Sequence, residues 1–389
     1  MRVCMISPHL PPEQAANALL PVLLGDELAS HGVDTRYVVH PPMDERRPPP
    51  VHHVAYVPRR GRGRLSRTLG GAMIAGSRMA LGARRSIRES DLVHLHSGGF
   101  IIEVGGLLAR RYRKPYVITL YGTDVWHHDP VRQGRFGRVV RDAACRVFYS
   151  RGLLDFATTL GLAPDPSIVI YAPVPSAFQA VEPDRRETLR RELRVGDGRL
   201  LLTVKRLHAV AGYEDLLRAL PLILREHPDA RLWIVGEGDL RSRLEAQARD
   251  LGISSQVRFL GLLDNATVWR YYAAADLFVL PSRLESWGTV MLEALACGTP
   301  VVATETAGGL EVRQHFPDDV TLVEKENPQA LAREVCGALT RGGRTGEATR
   351  DRIRTGFSVS VCAEQYLTVY RQAVGSKAPR PDLRQVHAI

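Results

Sequence analysis

Lysine is nearly missing from this chain. It occurs four times, at 114, 205, 325 and 377, so almost all of the 52 basic residues are arginine. Such a bias is what a GC-rich genome yields. The charge of +10 left over 42 acidic residues is therefore read first as a solvated basic surface, with an anionic substrate, a membrane or nucleic acid as the sharper alternatives. Zinc-finger spacing, an RNA-recognition signature and a heptad-linked basic region are all lacking, which argues against nucleic acid. The five cysteines (4, 145, 297, 336 and 362) are odd in number and form no CxxC pair, as expected of reduced thiols in a cytoplasmic protein. No apolar run reaches the ~18 residues of a spanning helix, and MRVCMISPHLPPEQ meets prolines before a signal-peptide core could form. Attachment to a membrane surface stays open. Without DxD, GxSxG or a His/Cys/Asp cluster, the sequence offers no metal site, no serine nucleophile and no resident cofactor.

What is present is the rhythm of a parallel sheet. At 389 residues the chain exceeds the size at which single cores stop growing, and two domains are expected. RVCMI, LLPVLLGDELASHG, DTRYVV, DLVHLHS and PYVITLYGTD alternate short β-branched runs with amphipathic stretches, the pattern of βαβ units. The pattern restarts with LLLTVKRL, YEDLLRALPLILREH, ARLWIVGEG, LRSRLEAQARDLG, QVRFLG, ADLFVLPS and PVVAT. Between the two series lies IYAPVPSAFQAVEPDRRET, with prolines at 173, 175 and 183 and little periodicity. The expectation is an α/β protein of two doubly wound, Rossmann-like domains, 1–172 and 173–376, facing across a cleft. A last helix at about 361–375 would pack back on the first domain, and 377–389 would form a flexible tail. Ligands of such sheets bind outside the carboxyl ends of the strands.

One stretch departs from the rhythm. In RRGRGRLSRTLGGAMIAGSRMALGARRSIRES, the positions Leu65, Leu69, Met73, Gly76, Met79 and Ala80 fall at helical spacing with arginine on the other faces. This predicts a helix packed on its sheet with a solvated basic face. A membrane-surface or anionic-acceptor patch is the alternative.

GEGDLR (236–241) follows an apolar strand and opens a helix, yet Arg241 stands where GxGxxG requires its third glycine, so a nicotinamide site is not indicated. The stretch ADLFVLPSRLESWGTVMLEALACGTPVVAT says more. Leu277–Leu280 reads as a buried strand ended by Pro281, and Gly298 with Pro300 ends a short helix before the next strand. Ser286 is the expected N-cap, so that free N–H groups point out of the strand ends as a ready anion site. Glu285 precedes that helix and Glu293 lies within it, among Met291, Leu292, Ala294, Leu295 and Ala296. Burying even a neutral polar group without a partner costs about 2–7 kcal/mol, so two acids in this setting call for a ligand.

Here the sequence resembles the retaining glycosyltransferases of family 4, which have the GT-B fold and carry two glutamates separated by seven residues within a strand–loop–helix. The resemblance runs along nearly the whole chain: DLVHLHS and TLYGTDV, then TVKRL, WIVGEGDL, VRFLG, ADLFVLPS, the paired glutamates and CGTPVVAT, in that order. It implies an acceptor-binding first domain and a second domain that binds a nucleotide-sugar, UDP-linked in this reading. Carried over by position, Glu285 holds hydroxyls of the donor sugar and Glu293 the ribose. Backbone N–H groups at Ser286, Trp287 and Gly288 would meet the sugar, and those at Thr289 and Val290 the ribose and diphosphate. Gly236 belongs to the donor-side turn, and Arg258 lies where main-chain groups grip the base. Arg206 matches the arginine that neutralises the leaving diphosphate. The implied transfer retains the anomeric configuration and needs no metal.

The chain also departs from the family. A lysine–glycine pair expected after the arginine is Ala211-Gly212, and Lys205, standing where glycine is common, is the candidate replacement. The glycine pair of the first loop is Ala15-Ala16, whose Cβ atoms hinder close approach to a diphosphate. The histidine before Gly-Thr-Asp is Tyr121. On the acceptor side His96, Tyr121 and His127 are candidate contacts, and Asp124 is the candidate for orienting an acceptor hydroxyl or amine. The opening HLPPEQAANALLPVLLGDELASHG and the VKRLH variant are similar to transferases that act on aminocyclitol antibiotics, which implies a small hydroxylated or amino acceptor. A polysaccharide or lipid-linked acceptor at a membrane is the alternative, and a UDP-sugar epimerase or a non-catalytic sugar-nucleotide binding protein are the others. The sequence leaves the oligomeric state open.

Overall fold

The computed structural model describes residues 1–11, 13, 16–42, 49–59, 69–128 and 134–375. It divides into two compact units, Met1–Pro173 joined by the segment from Val359, and Val174–Ser358. The expected boundary after residue 172 falls one residue later. The last helix, Val359–Gly375, is part of the first unit, and the tail from 377 lies outside the described residues.

Among the described residues of the first unit, strands β1 (Arg2–Ile6), β2 (Asp34–Val39), β3 (Val54–Tyr56), β4 (Leu92–His96), β5 (Tyr116–Leu120), β6 (Cys145–Phe148) and β7 (Ser167–Val169) form one sheet in the order β3-β2-β1-β4-β5-β6-β7. The second unit holds β8 (Leu200–Val204), β9 (Arg231–Val235), β10 (Val257–Gly261), β11 (Leu277–Leu280), β12 (Val301–Thr304) and β13 (Val320–Val323), ordered β10-β9-β8-β11-β12-β13. Every described pairing is parallel. In each sheet the winding reverses beside its first strand, at β1/β4 and at β8/β11. Such switch points are where doubly wound sheets bind ligands.

Parallel strands covered on both faces must be apolar throughout, and β4, β5, β6, β11 and β12 are buried at every position. In the second unit Leu201, Ile234, Leu277 and Val279 pack with Leu216, Leu220 and Val335 from the covering helices. Each such side chain contributes about 1.5–3 kcal/mol on burial. Composition departs from this in β6, which carries the buried Arg146, and in β4, where LVHLH takes two histidines into the core. His94 is satisfied there: Nδ1 lies 2.6 Å from the Tyr370 hydroxyl and Nε2 2.8 Å from Thr119 Oγ1, which in turn lies 2.9 Å from the Tyr366 hydroxyl. Two tyrosines of the last helix thus complete the hydrogen bonding of the first sheet.

The arginine-rich stretch forms the helix Leu69–Glu89, whose packed face includes the expected Met79 and Ala80 but not Met73. Met79, Ala83 and Ile87 are buried, whereas Met73 is 66% exposed, beside Ile74 at 65% and Leu81 at 63%. The packed stripe follows Met79 in steps of four, and that register leaves Met73 on the outer side. Leu65 and the side chain of Leu69 lie outside the described residues.

Candidate functional site

β11 ends at Leu280, and the chain crosses Pro281–Trp287 before the helix Thr289–Ala296 begins. The expected N-cap, Ser286, is not the cap. Gly288 takes that position in the left-handed region (φ 76°), and no side chain caps the helix. A Cβ on Gly288 would lie 2.5 Å from Met291 Cε and 3.1 Å from Glu285 Cγ, so glycine is required by conformation and by space. The chain turns through residue 288 because Trp287 is driven into the core. Its ring is 1% exposed, stacked on Phe357 with centroids 5.6 Å apart and edge-on to His315. The Trp287 side chain is an anchor for the loop, buried away from any ligand. Thr289 and Val290, in the first turn, have no intrahelical acceptor for their N–H groups.

Glu285 lies against the helix start and is held from two sides. One oxygen, Oε1, accepts the Ser286 N–H at 3.1 Å, and Oε2 accepts from Lys205 Nζ at 2.6 Å. Lys205 follows β8, so this ion pair bridges the β8/β11 switch point. The same ammonium donates to Ser282 Oγ at 2.8 Å and to the Leu284 carbonyl at 3.3 Å. Next along the chain Arg206 is exposed, and its guanidinium has no hydrogen-bond or ion-pair partner among the described residues. Ala211, in the expected lysine position, belongs to a short 3-10 turn and is buried in the core. Gly212 closes that turn at φ 70°, so close to the Pro281 carbonyl oxygen that a Cβ would lie 1.9 Å from it.

Glu293, one helical stretch further, is half-buried, and the fully buried Tyr272 donates to its Oε2 at 2.8 Å. Burial pushes the Glu293 carboxyl up to about 7, against the lowering effect of the Tyr272 hydroxyl. Tyr272 is itself held well above its ordinary value, by burial first and then by Glu293, and stays a donor. Gly236 (φ 138°) owes its identity to packing, since a Cβ there would lie 2.1 Å from the Lys205 carbonyl oxygen. Arg258 is on the edge strand β10, its guanidinium 5.2 Å from the centre of the Trp233 ring.

In the first unit the switch point is occupied by polar residues engaged with one another. His96 Nδ1 lies 2.8 Å from the Tyr121 hydroxyl, and His96 Nε2 is buried without a partner among the described residues. Burial lowers His96 to about 3 and holds His94 well below the usual imidazole range, so both rings are neutral. Asp124 accepts from the backbone N–H groups of Tyr121 at 3.1 Å and Gly122 at 2.8 Å. Its carboxyl is raised by burial, with those N–H groups working the other way. The geometry shows Asp124 holding the Gly122 turn (φ 143°). His127 is exposed at the end of the helix Thr123–Trp126. Ala15 lies outside the described residues, and Ala16 opens the helix Ala16–Ser30. No group of three His, Cys, Asp or Glu among the described residues could hold a metal ion, and none of their helices is long and apolar enough to cross a membrane.

Tyr272, Ser282 and Tyr213, whose hydroxyl donates to the Lys205 carbonyl at 2.7 Å, escaped the sequence reading. Local sequence carried no signal for them, since each meets its partner from another element.

Two family profiles match: glycosyltransferase family 4 over residues 22–178 and the group 1 glycosyl transferases over 184–354. A glycogen synthase of Mycobacterium tuberculosis is 31% identical, across 82% of this chain and 79% of its own. The chain belongs to the family 4 glycosyltransferases. A GDP-mannose-dependent alpha-(1-6)-phosphatidylinositol monomannoside mannosyltransferase of Mycolicibacterium smegmatis is 32% identical, across 59% of this chain and 62% of its own. A sucrose-phosphate synthase from Thermosynechococcus elongatus shares the fold, with a TM-score of 0.78 at 21% identity over 97% of this chain and 100% of that one. The fold of this family 4 glycosyltransferase is GT-B, and its donor is a nucleotide-sugar.

Proposed function

We propose that this glycosyltransferase moves a sugar from a UDP-linked donor to its acceptor with retained anomeric configuration, drawing its positive charge from Arg206 and the helix start rather than from a metal ion. One observation carries the reading. Glu285 and the first-turn N–H groups of Thr289 and Val290, which have no intrahelical acceptor, lie at the β8/β11 switch point, beside the strand end that bears Arg206, unpartnered among the described residues. Glu285 then receives sugar hydroxyls, Glu293 receives the ribose, and Arg206 faces the diphosphate. The bond from the anomeric carbon to the diphosphate breaks while the acceptor oxygen or nitrogen attacks on the same face. The departing phosphate oxygen takes the acceptor proton, so no enzyme base is needed. The family resemblance supports the retention.

For the acceptor, the VKRLH variant and the opening segment support a small aminocyclitol. A second reading, an acceptor presented at an anionic membrane, is supported by the exposed Met73, Ile74 and Leu81 among the arginines of the helix Leu69–Glu89.

The test is a mass-spectrometric screen of UDP- and GDP-sugars with and without candidate acceptors. Nucleoside diphosphate released from a UDP-sugar only when acceptor is present, with an α-linked product from an α-donor, is the expected result. Conversion of donor without acceptor, or inversion, would refute the reading. Glu285→Ala and Arg206→Ala are expected to lose about 100-fold or more in transfer while folding normally.

A further inference from the structure

Two cations stand side by side after β8, and their surroundings differ sharply. Lysine has three N–H donors. Those of Lys205 have three acceptors within reach, at 2.6 Å on Glu285, 2.8 Å on Ser282 and 3.3 Å on Leu284. None is left over for a phosphate oxygen. Arg206 has no engaged donor among the described residues. The backbone of Lys205 is fixed as well. Its N–H donates to the Val235 carbonyl at 3.1 Å, its carbonyl accepts from Tyr213, and Gly236 closes over that carbonyl where a side chain would not fit. A lysine clamped at both backbone atoms and saturated at its ammonium is built to hold something else in place.

We propose that Lys205 is a positioning residue for the donor sugar: it fixes and neutralises the Glu285 carboxylate, and leaves the diphosphate to Arg206 and the helix start. This replaces the expectation that Lys205 makes good the phosphate lysine missing at position 211. The physical need is plain. A carboxylate that grips a sugar hydroxyl must come close to the diphosphate carrying that sugar, and two anions at short range repel unless a cation lies between them. Its partner Ser282 is 1% exposed, which makes the ammonium's position rigid.

The proposal rests on the donor-site reading above, and the experiment separates the two. Calorimetry would measure the affinity of the wild type, Lys205→Met, Glu285→Gln and the double variant for UDP, UDP-glucose, GDP and GDP-mannose. Wild-type protein that binds none of these refutes the donor-site reading before any variant is considered, and this inference with it. The expected result is a wild type that binds one sugar nucleotide more tightly than the matching nucleoside diphosphate. Lys205→Met then loses that preference, about tenfold or more, while nucleoside diphosphate affinity stays within about twofold, and adding Glu285→Gln costs nothing further. Lys205→Arg restores part of the preference. A fall in nucleoside diphosphate affinity in both Lys205→Met backgrounds would mean that Lys205 acts on phosphate and would overturn the proposal. Additive losses in the double variant, or a wild type without the sugar preference, would overturn it too. Removing the lysine alone leaves a half-buried carboxylate unpaired, and the double variant, which removes both charges, keeps the comparison readable if the single variant melts early.

Discussion

Glu293 is a carboxyl in the second unit whose ionisation the fold has visibly altered. An ordinary glutamate starts near 4.5, and this one is pushed up to about 7 by burial. In the unfolded chain it therefore loses its proton before the folded protein does. Between those two values the native state holds more protons, so this group's contribution to stability is complete below about 4.5 and is lost as pH rises through about 7. A ribose diol donates more strongly to a carboxylate than to a carboxylic acid, so bound nucleotide favours the ionised form. Nucleotide affinity should accordingly rise between about pH 6 and pH 8, as the decline in the free protein's stability reaches its end near pH 7. Melting curves and calorimetry on wild type and Glu293→Gln check both halves. The variant should bind nucleotide weakly at every pH and lose the wild type's decline in stability between about pH 4.5 and about pH 7. Both glutamates were legible in the sequence, because two acids in an apolar run demand an explanation. Tyr272 and Lys205, which hold them, are 21 and 80 residues away along the chain and were not legible as partners.

At the scale of elements, each strand bearing on the site could be read from its apolar run, because parallel strands covered on both faces admit little else. Helix starts and faces were harder. The expected cap at Ser286 failed because the burial of Trp287 fixes the path of the loop, and that burial depends on Phe357, seventy residues further on. In the helix Leu69–Glu89, any of several apolar registers would satisfy the pattern LGGAMIAGSRMALGARRSIRE, and only packing against the sheet selects Met79, Ala83 and Ile87. The register chosen leaves Met73, Ile74 and Leu81 outward with Arg78, Arg84 and Arg88. Such a face suits an anionic bilayer, with apolar side chains entering the headgroup boundary and arginines meeting lipid phosphates. Met73→Ser with Ile74→Ser should cut co-sedimentation with phosphatidylglycerol vesicles severalfold, and stability should move by no more than about 0.5 kcal/mol because both side chains are exposed. Equal sedimentation of variant and wild type would remove the support this helix gives to a membrane-borne acceptor.

For the whole molecule, the division into two units has an order that the rhythm of strands and helices only half disclosed. The restart of the pattern after Pro173 was visible, but the chain's return to the first unit at Val359 was marked by nothing more than one further amphipathic stretch. The reason for the return lies in the first sheet. His94 in β4 and Thr119 in β5 are fully buried polar groups whose partners, Tyr370 and Tyr366, come from Val359–Gly375. Without that helix the histidine and the threonine would each lose a hydrogen bond in the core, at about 1–3 kcal/mol apiece, and two wholly buried tyrosines would be lost with their ~150–250 Å² of contact surface each. The second unit depends on no such return, since Val174–Ser358 contains its entire sheet and core and closes on itself where Val174 pairs with Ser358. A fragment 174–358 should therefore melt cooperatively by itself. A fragment 1–173 should not, until a peptide of residues 359–375 is added, and circular dichroism with and without that peptide measures the difference. Cooperative melting of 1–173 alone at the temperature of the full chain would show that the tyrosines of the last helix are not what completes the first sheet.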